Sequence, residues 1–151
     1  MGEKARLNVR KLTTDDAEIA AELDLKCFGA RDACRREYFY RVAQDERREF
    51  LVAELDGKII ACAGAEIDND TAEIESLAVA PEYRRIGVAK IPLAKLLGVI
   101  MKRGATFIVL EVRPSNKAAI ELYKSFDFQI VEREKNYYWN EDAWIMARDF
   151  S

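Results

Sequence analysis

The segment that decides the fold is Val79-Ala-Pro-Glu-Tyr-Arg-Arg-Ile-Gly-Val-Ala-Lys90. It follows an apolar strand pattern, turns at Pro81, and leads into a helical pattern that we predict over residues 84–103, ended by Gly104. The first N–H groups of a helix have no partner within the helix, and together with the helix macrodipole they attract anions. The segment therefore predicts an anion-binding turn between a strand and a helix.

The side chains of this segment suit a pyrophosphate ligand. Gly87 and Ala89 lack bulk, so a ligand can approach the backbone closely, and neighbouring basic residues add positive charge. These basic residues are Arg84, Arg85 and Lys90. The segment has neither the Gly-Lys-Ser/Thr ending of a P-loop nor the three glycines of a dinucleotide fingerprint. Taken alone, it would also fit a helix start with solvated arginines.

Strand and helix patterns extend outward from this segment in both directions. Asp56-Gly57 predicts a two-residue hairpin turn, because such turns require positive φ angles. We predict strands over residues 7–12, 50–55, 58–63, 72–79, 107–112, 128–134 and 143–148. We predict helices over residues 15–28, 31–44 and 84–103, and a fourth that Ser115 caps. This order predicts an α/β (mixed α+β) fold in one domain over residues 1–151, with a mixed sheet of about seven strands and helices on both faces.

Composition narrows the possible classes of function. Lys and Arg number 24 against 27 Asp and Glu, and the net charge of -3 argues against a nucleic-acid partner. The chain has no histidine, and Cys27, Cys34 and Cys62 match no zinc spacing, so we expect no metal site and no His-based triad. We also expect reduced thiols, no membrane partner and a cytoplasmic location, because the first residues lack the apolar run of a signal peptide.

The segment resembles the signature of the GCN5-related N-acetyltransferases (GNAT), Arg/Gln-x-x-Gly-x-Gly/Ala, which Arg84, Gly87 and Ala89 match. The resemblance covers residues 5–149 and is strongest from 75 to 146. It implies the GNAT fold and acetyl-CoA as co-substrate, with the coenzyme pyrophosphate on this loop and the pantetheine arm beside the preceding strand. The coenzyme-binding residues that it implies are Leu77, Ala78, Val79, Arg84, Arg85, Ile86, Gly87, Val88, Ala89, Lys90 and Asn116. Outside this resemblance, Asn116 reads as a helix-capping amide.

Residues 110–128 resemble the ribosomal-protein-alanine acetyltransferase branch, which modifies protein N-termini. Glu111 lies inside an apolar strand, where it either points to water or pairs with Arg113, or is a partly desolvated base with a raised pKa. The resemblance implies the base. Tyr123 is by spacing a core aromatic, and the resemblance implies that it is the general acid beside the coenzyme sulfur.

Aromatic residues cluster in a segment that we predict to be the loop between the last two strands. Exposed aromatic side chains on loops commonly serve binding, although these could also fold back onto the end of the sheet. The resemblance implies that Tyr137 and Tyr138 line the slot for the first residues of the acceptor.

The sequence departs from the family pattern at three places. Pro92 falls inside the predicted helix 84–103, where it would remove a hydrogen bond and kink the helix. Asp127 replaces a glycine that is usual before the next strand, at a position that often needs positive φ. Residues 27–34 lack the Pro-Trp pair of bacterial members, in the region that helps to shape the substrate slot.

These patterns lead to one hypothesis and two alternatives. The hypothesis is an acetyl-CoA-dependent N-acetyltransferase that acts on the N-terminal amine of a protein or peptide, as a monomer or weak homodimer. The first alternative keeps the enzyme and replaces the acceptor with a small amine or a lysine side chain. The second is a non-catalytic acyl-CoA-binding module, against which the presence of both Glu111 and Tyr123 argues.

Overall fold

The computed structural model describes residues 7–84 and 86–151, so that Arg85 of the predicted coenzyme loop lies outside the described residues. The strands are β1 (Leu7–Lys11), β2 (Arg48–Leu55), β3 (Lys58–Asp68), β4 (Thr71–Val79), β5 (Phe107–Val112), β6 (Gln129–Tyr138) and β7 (Glu141–Asp149). The helices are α1 (Ala17–Asp32), α2 (Arg36–Val42), α3 (Lys90–Lys102) and α4 (Lys117–Ser125), with short 3-10 turns at Thr14–Asp16 and Pro81–Tyr83. Among the described residues, no helix combines the length and the apolar character needed to cross a membrane.

The strands form one seven-stranded sheet in the order β1-β2-β3-β4-β5-β7-β6. β4 and β5 run parallel, and the other pairs in the described chain run antiparallel. Because parallel neighbours need a crossover connection, α3 lies between β4 and β5 in the chain. The mixed seven-stranded sheet predicted from the sequence is confirmed.

Each face of the sheet has its own apolar core. The core against α3 and α4 includes Leu96, Ile100, Ile108, Leu110 and Tyr123. The core against α1 and α2 includes Ala20, Leu23, Phe39, Phe50 and Cys62. Alternate residues of a strand point to opposite faces, so the single strand β3 supplies both cores. Helices therefore cover both faces, as predicted.

A β-bulge in β4 separates it from β5. Gly64 of β3 pairs with Ser76 and Ala65 pairs with Ile74, which leaves Glu75 without a partner in β3. Such an extra residue bends a strand and increases its twist. Pairing between β4 and β5 accordingly ends at Ile74 and Leu110. Beyond these residues the two parallel strands diverge and leave a gap in the middle of the sheet.

Several predicted boundaries were wrong. The third helix begins at Lys90 rather than residue 84, because Gly87 takes a left-handed φ of 78° that interrupts a helix. Pro92 is therefore in the first turn, where a missing N–H removes no helical bond, and the expected kink does not occur. Positive φ at Asp127, 67°, is confirmed.

The remaining differences lie at helix and strand ends. Helix α1 continues to Asp32 with a break at Gly29, whereas α2 covers only Arg36–Val42 instead of 31–44. Asn116 caps α4, accepting a bond from the Ala119 N–H at 3.2 Å, so the predicted cap at Ser115 was wrong. The segment predicted to be an aromatic loop, residues 135–142, belongs mostly to strands, because β6 extends to Tyr138 and β7 begins at Glu141.

Candidate active site

The gap between β4 and β5 opens into a cleft of about 230 Å³. Its lining combines the edge of β4, the end of β5, the start of α4, α1 and the end of β6. Among its lining residues are Asp24, Ser76, Leu77, Glu111, Arg113, Asn116, Tyr123 and Tyr138. The structure thus brings both predicted catalytic residues to one cleft, together with Leu77, Asn116 and Tyr138.

The exposed edge of β4 faces this gap. The Ala80 N–H donates to the Ile60 carbonyl on β3 at 2.8 Å, so Ala80 and, two residues earlier, Ala78 direct their backbone groups toward β3. Because backbone groups alternate between the two edges of a strand, Leu77 and Val79 direct theirs toward the gap. Ala78 itself is buried in the core against α1 and α2. This edge offers hydrogen-bonding groups to any extended, amide-containing molecule that enters the gap.

Two side chains hold the end of β4 in place. Arg84 Nε and Cys27 Sγ both donate to the Val79 carbonyl oxygen, at 3.0 and 3.3 Å. Arg84 therefore joins the loop to the strand end, a role that the sequence pattern did not indicate. Since the carbonyl is already bonded, the N–H of Val79 is the backbone group left for a ligand at this point of the edge.

The loop between β4 and α3 keeps an open backbone. Gly87 has a left-handed φ of 78°, and a methyl group built on it would meet no other atom within 4 Å. Ile86 is exposed, Val88 packs partly against the α1–α2 core, and Ala89 is the N-cap of α3. The exposed Lys90 begins the helix. The Lys90 and Ile91 N–H groups bond back to the Gly87 and Val88 carbonyls at 3.3 Å. What this uncovered helix start offers to an anion is therefore the loop backbone ahead of those groups and the positive end of the helix dipole.

Glu111 is half-buried near the end of β5, on the opposite face of the strand from Leu110 and Val112. Burial raises its pKa to about 7, and repulsion from Glu73, a hydrogen bond with Glu73 and repulsion from Glu134 act in the same direction. Arg113 does not pair with it, because that guanidinium binds Asp32 at 2.6 Å and Glu141 at 3.1 Å.

Tyr123 serves both as a core residue and as part of the cleft wall. Its ring is buried against Phe128 with 5.8 Å between ring centroids, nearly edge-on. Burial raises the pKa of the phenol well above its ordinary value, so the hydroxyl keeps its proton at neutral pH. A protonated phenol in this cleft is a proton donor.

The two tyrosines at the end of β6 differ in their relation to the cleft. Tyr138 lines the cleft beneath the Arg113 guanidinium, 4.1 Å from the ring centroid, and burial raises its pKa to about 12. Tyr137 is more exposed, and its pKa is raised by partial burial and then by the negative charge of Glu111. Their ring centroids are 4.9 Å apart. Both predicted substrate residues therefore lie beside Glu111.

The profile of the acetyltransferase (GNAT) family matches residues 17–128. This chain belongs to the GNAT family. It is 40% identical over 115 residues to the [ribosomal protein bS18]-alanine N-acetyltransferase of Escherichia coli K12, covering 72% of this chain and 78% of that protein. It is 30% identical over 153 residues to the N-alpha-acetyltransferase daf-31 of Caenorhabditis elegans, covering 96% and 84%.

The GNAT fold is equally clear from solved structures. The crystal structure of the ribosomal-protein-S18-alanine N-acetyltransferase from Escherichia coli superposes with a TM-score of 0.88 and 32% sequence identity, covering 97% of this chain and 95% of that one. The predicted family, fold and enzyme class are confirmed. The protein is an N-acetyltransferase of the GNAT family, with acetyl-CoA as donor.

Acetyl-CoA fits the residues of this GNAT chain. The edge at Leu77 and Val79 matches the amide groups of the pantetheine arm, and the uncovered start of α3 with Lys90 matches the pyrophosphate charge. Metal binding is not part of this fit, because the described residues contain no cluster of His, Cys, Asp or Glu with ligand geometry. Bound here, acetyl-CoA supplies an activated thioester; the remaining tasks fall to the side chains of the cleft.

Two acidic residues had no place in the predicted site: Asp24, which lines the cleft, and Glu73, which lies beside Glu111. Asp24 of α1 is buried, accepts a bond from the Cys34 N–H at 2.7 Å, and has a pKa raised by burial. Glu73 of β4 contacts Glu111. A signal for Glu73 was present, since it alternates with the apolar Ala72 and Ile74, but its partner strand becomes known only from the parallel pairing.

Proposed function

We propose that this GNAT enzyme acetylates the N-terminal α-amine of a protein or peptide, with Glu111 as general base and Tyr123 as general acid. The observation that carries the proposal is Glu111, a half-buried carboxylate in the cleft without a described cationic partner and with a pKa of about 7. A base with a pKa near the working pH is half ionised and accepts a proton efficiently. The names of the two relatives support a protein N-terminus as acceptor.

The chemistry needs two proton movements. Glu111 takes one proton from the incoming ammonium, and the neutral amine then attacks the thioester carbonyl carbon to form the N–C bond. The C–S bond breaks, and the departing thiolate takes the proton of Tyr123. The second amine proton, released after the N–C bond forms, returns to the Tyr123 phenolate through solvent. The products are the N-acetylated terminus and free coenzyme A, without a covalent enzyme intermediate.

The surroundings of Glu111 favour an acceptor that arrives as a cation on the end of a chain. Tyr138 forms one lip of the cleft, with Tyr137 packed beside it, and the end of α1 forms the other. Arg113 connects the lips by binding Asp32 of α1 and Glu141 of β7. Aromatic side chains beside a slot can pack against the first residues of a peptide.

The test is acetyl-CoA turnover with short peptides that differ at the first residue, followed by release of the coenzyme A thiol and by peptide mass. Each peptide is matched by a copy whose terminus is already acetylated and which keeps an internal lysine. Glu111→Gln and Tyr123→Phe are each expected to lower kcat on the favoured peptide by about 100-fold or more. The exposed Glu121→Gln on α4 is the matched control and should leave kcat unchanged.

Three results would contradict the proposal. Acetylation of the blocked peptide at lysine would replace the terminus with a side-chain amine. Binding of acetyl-CoA without turnover on any peptide would leave a small-amine enzyme or an acyl-CoA sensor. A full-rate Glu111→Gln variant would remove the base assignment whichever acceptor is used.

A further inference from the structure

Most half-buried carboxylates of this protein pair with arginine. Asp45 and Glu66 bind Arg48, Glu49 binds Arg103, Glu54 binds Arg10, and Glu141 binds Arg113. In contrast, among residues 7–84 and 86–151 no ion pair includes Glu73, Glu111 or Glu134. These three side chains come from β4, β5 and β6, so the sheet itself gathers uncompensated negative charge beside the cleft.

The parallel pairing places Glu73 next to Glu111. Glu73 pairs with Val109 of β5, and Glu111 follows Val109 by two residues, so both carboxylates are on the same face of neighbouring strands. Glu73 is near enough to raise the pKa of Glu111 both through its charge and through a hydrogen bond. A carboxylate is only an acceptor, so a hydrogen bond between the two groups needs a proton on one of them.

We propose that Glu73 is a positioning residue for the base, and that it shares a single proton with Glu111 across the β4–β5 pair. The assignment rests on the proposed role of Glu111. With one proton between them, the pair carries one negative charge when an ammonium approaches. Glu73 then acts through Glu111, holding its carboxyl group toward the cleft and keeping it protonated to a higher pH than an isolated glutamate.

The other charged groups near the pair do not replace Glu73. From β3, Glu66 lies opposite Glu73 but binds Arg48, which also binds Glu75. From α1, the cleft receives Asp24 and Asp32; from just after β5 it receives Arg113, which is occupied by Asp32 and Glu141. From β6, the facing groups are Glu134, Tyr137 and Tyr138, and of these Glu134 acts on Glu111 through charge alone.

The test is the titration of Glu111 in the free protein, followed by carbon-13 NMR of glutamate carboxyl groups and assigned through the resonance lost in Glu111→Gln. The wild-type resonance is expected to have its midpoint near pH 7. Glu73→Gln removes a like charge and offers an amide donor to the ionised carboxylate, so the midpoint should fall by about one pH unit or more. Glu134→Gln, the matched control from an exposed position, should lower it by clearly less.

Three outcomes would overturn the proposal. These are an unchanged midpoint in Glu73→Gln, an equal shift in Glu134→Gln, and a wild-type midpoint at the ordinary glutamate value of about 4.3. Glu73→Asp, which keeps the charge on a shorter side chain, should give an intermediate midpoint and serves if Glu73→Gln does not fold. In active protein, the acidic limb of kcat/KM should move to lower pH by the same amount in Glu73→Gln.

This measurement separates the pair from the acceptor. A midpoint that shifts as expected while no peptide is acetylated supports the Glu73–Glu111 pair and contradicts the proposed acceptor. Acetylated peptides together with an unshifted midpoint support the acceptor and overturn the pair.

Discussion

At the scale of single residues, Glu111 links acid–base chemistry to stability. Its pKa is about 7 in the folded protein against an ordinary value of 4.5, because burial and neighbouring carboxylates disfavour its charge. Between these pH values the folded chain binds more protons at this site than the unfolded chain. The free energy of unfolding therefore decreases as the pH rises from about 4.5 to about 7, and the loss persists above that range.

Glu111→Gln should consequently be more stable than the wild type at alkaline pH. The neutral amide avoids the cost of ionising a half-buried group, which we place at about 1 kcal/mol at pH 8 after allowing for solvent screening. At pH 4 both proteins carry an uncharged side chain here, and their stabilities should nearly agree. Urea unfolding followed by circular dichroism at the two pH values measures the difference, with Glu121→Gln as control. Equal stability at pH 8 would show that Glu111 ionises without cost.

At the scale of secondary-structure elements, the bulge of β4 lies opposite a glycine in the neighbouring strand β3. Gly64 lies opposite Ser76, just past Glu75, and a methyl group built on it would come within 2.4 Å of the buried Phe50 ring. Phe50 has little room to move because it packs among the other apolar residues of the α1–α2 core. The lack of a side chain at Gly64 thus leaves room for the Phe50 ring to pack against β3 at the point where the sheet opens.

Gly64→Ala should destabilise the protein by about 1–3 kcal/mol, the usual cost of overpacking a core. Gly98→Ala provides the opposite control, because Gly98 lies on the exposed side of α3 with nothing within 4 Å of the added methyl group. Alanine is the better helix former, so this variant should gain about 0.5–1 kcal/mol. Chemical unfolding of both variants tests whether Gly64→Ala lowers the free energy of unfolding and Gly98→Ala raises it. A neutral Gly64→Ala would mean that Phe50 moves aside without cost.

Most elements could be predicted from the sequence, and the errors have identifiable causes. The predicted helix began too early because it included Gly87, whose φ is left-handed. In the structure α3 begins after Gly87, and Pro92 is in its first turn instead of at an internal kink. Ser115 and Asn116 are both good N-caps, and only the bond from Ser115 Oγ to Glu141 decides between them. Tyr137 and Tyr138 read as a loop because β6 is exposed along nearly its whole length and shows no apolar alternation.

The site was predictable where one strand or loop carries its chemistry. Glu111, Tyr123 and the Gly87 loop each belong to a local pattern, and the fold brings Glu111 and Tyr123 together in one cleft. Glu73 could not be predicted, because its importance depends on pairing with a strand that is about 35 residues away in the sequence. Long-range neighbours of this kind leave little trace in a single sequence.

At the scale of the whole molecule, strands β1 to β4 are joined to strands β5 to β7 by a short ladder between β4 and β5. Residues 71–74 of β4 pair with 107–110 of β5, and past this short ladder the strands diverge. All buried residues of the core against α1 and α2 come from the first 80 positions of the chain. The core against α3 and α4 contains residues from both parts of the sheet. A ligand in the gap would add contacts to both sides of the opening.

Coenzyme A should therefore stabilise the folded chain and protect the strands that border the gap. At a concentration of 100 times Kd, ligand linkage adds about 2.7 kcal/mol to the free energy of unfolding. Hydrogen exchange should slow in β4 beyond Ile74 and at the start of α3, with little change in β1 at the far edge. Thermal unfolding and exchange by mass spectrometry check the two effects. Protection confined to the surface around β1 would place the ligand elsewhere.

The bulge at Glu75 also reverses which residues of β4 face each core. Before it, Ala72 and Ile74 face the core of α3 and α4; after it, Leu77 packs toward that core and Ala78 enters the opposite one. Evolution can therefore exchange side chains along this strand more freely than it can change their number. Loss of the Glu75 codon would restore regular alternation with Leu77 and Ala78 on their present faces, and the straightened strand would close the opening through which the protein works.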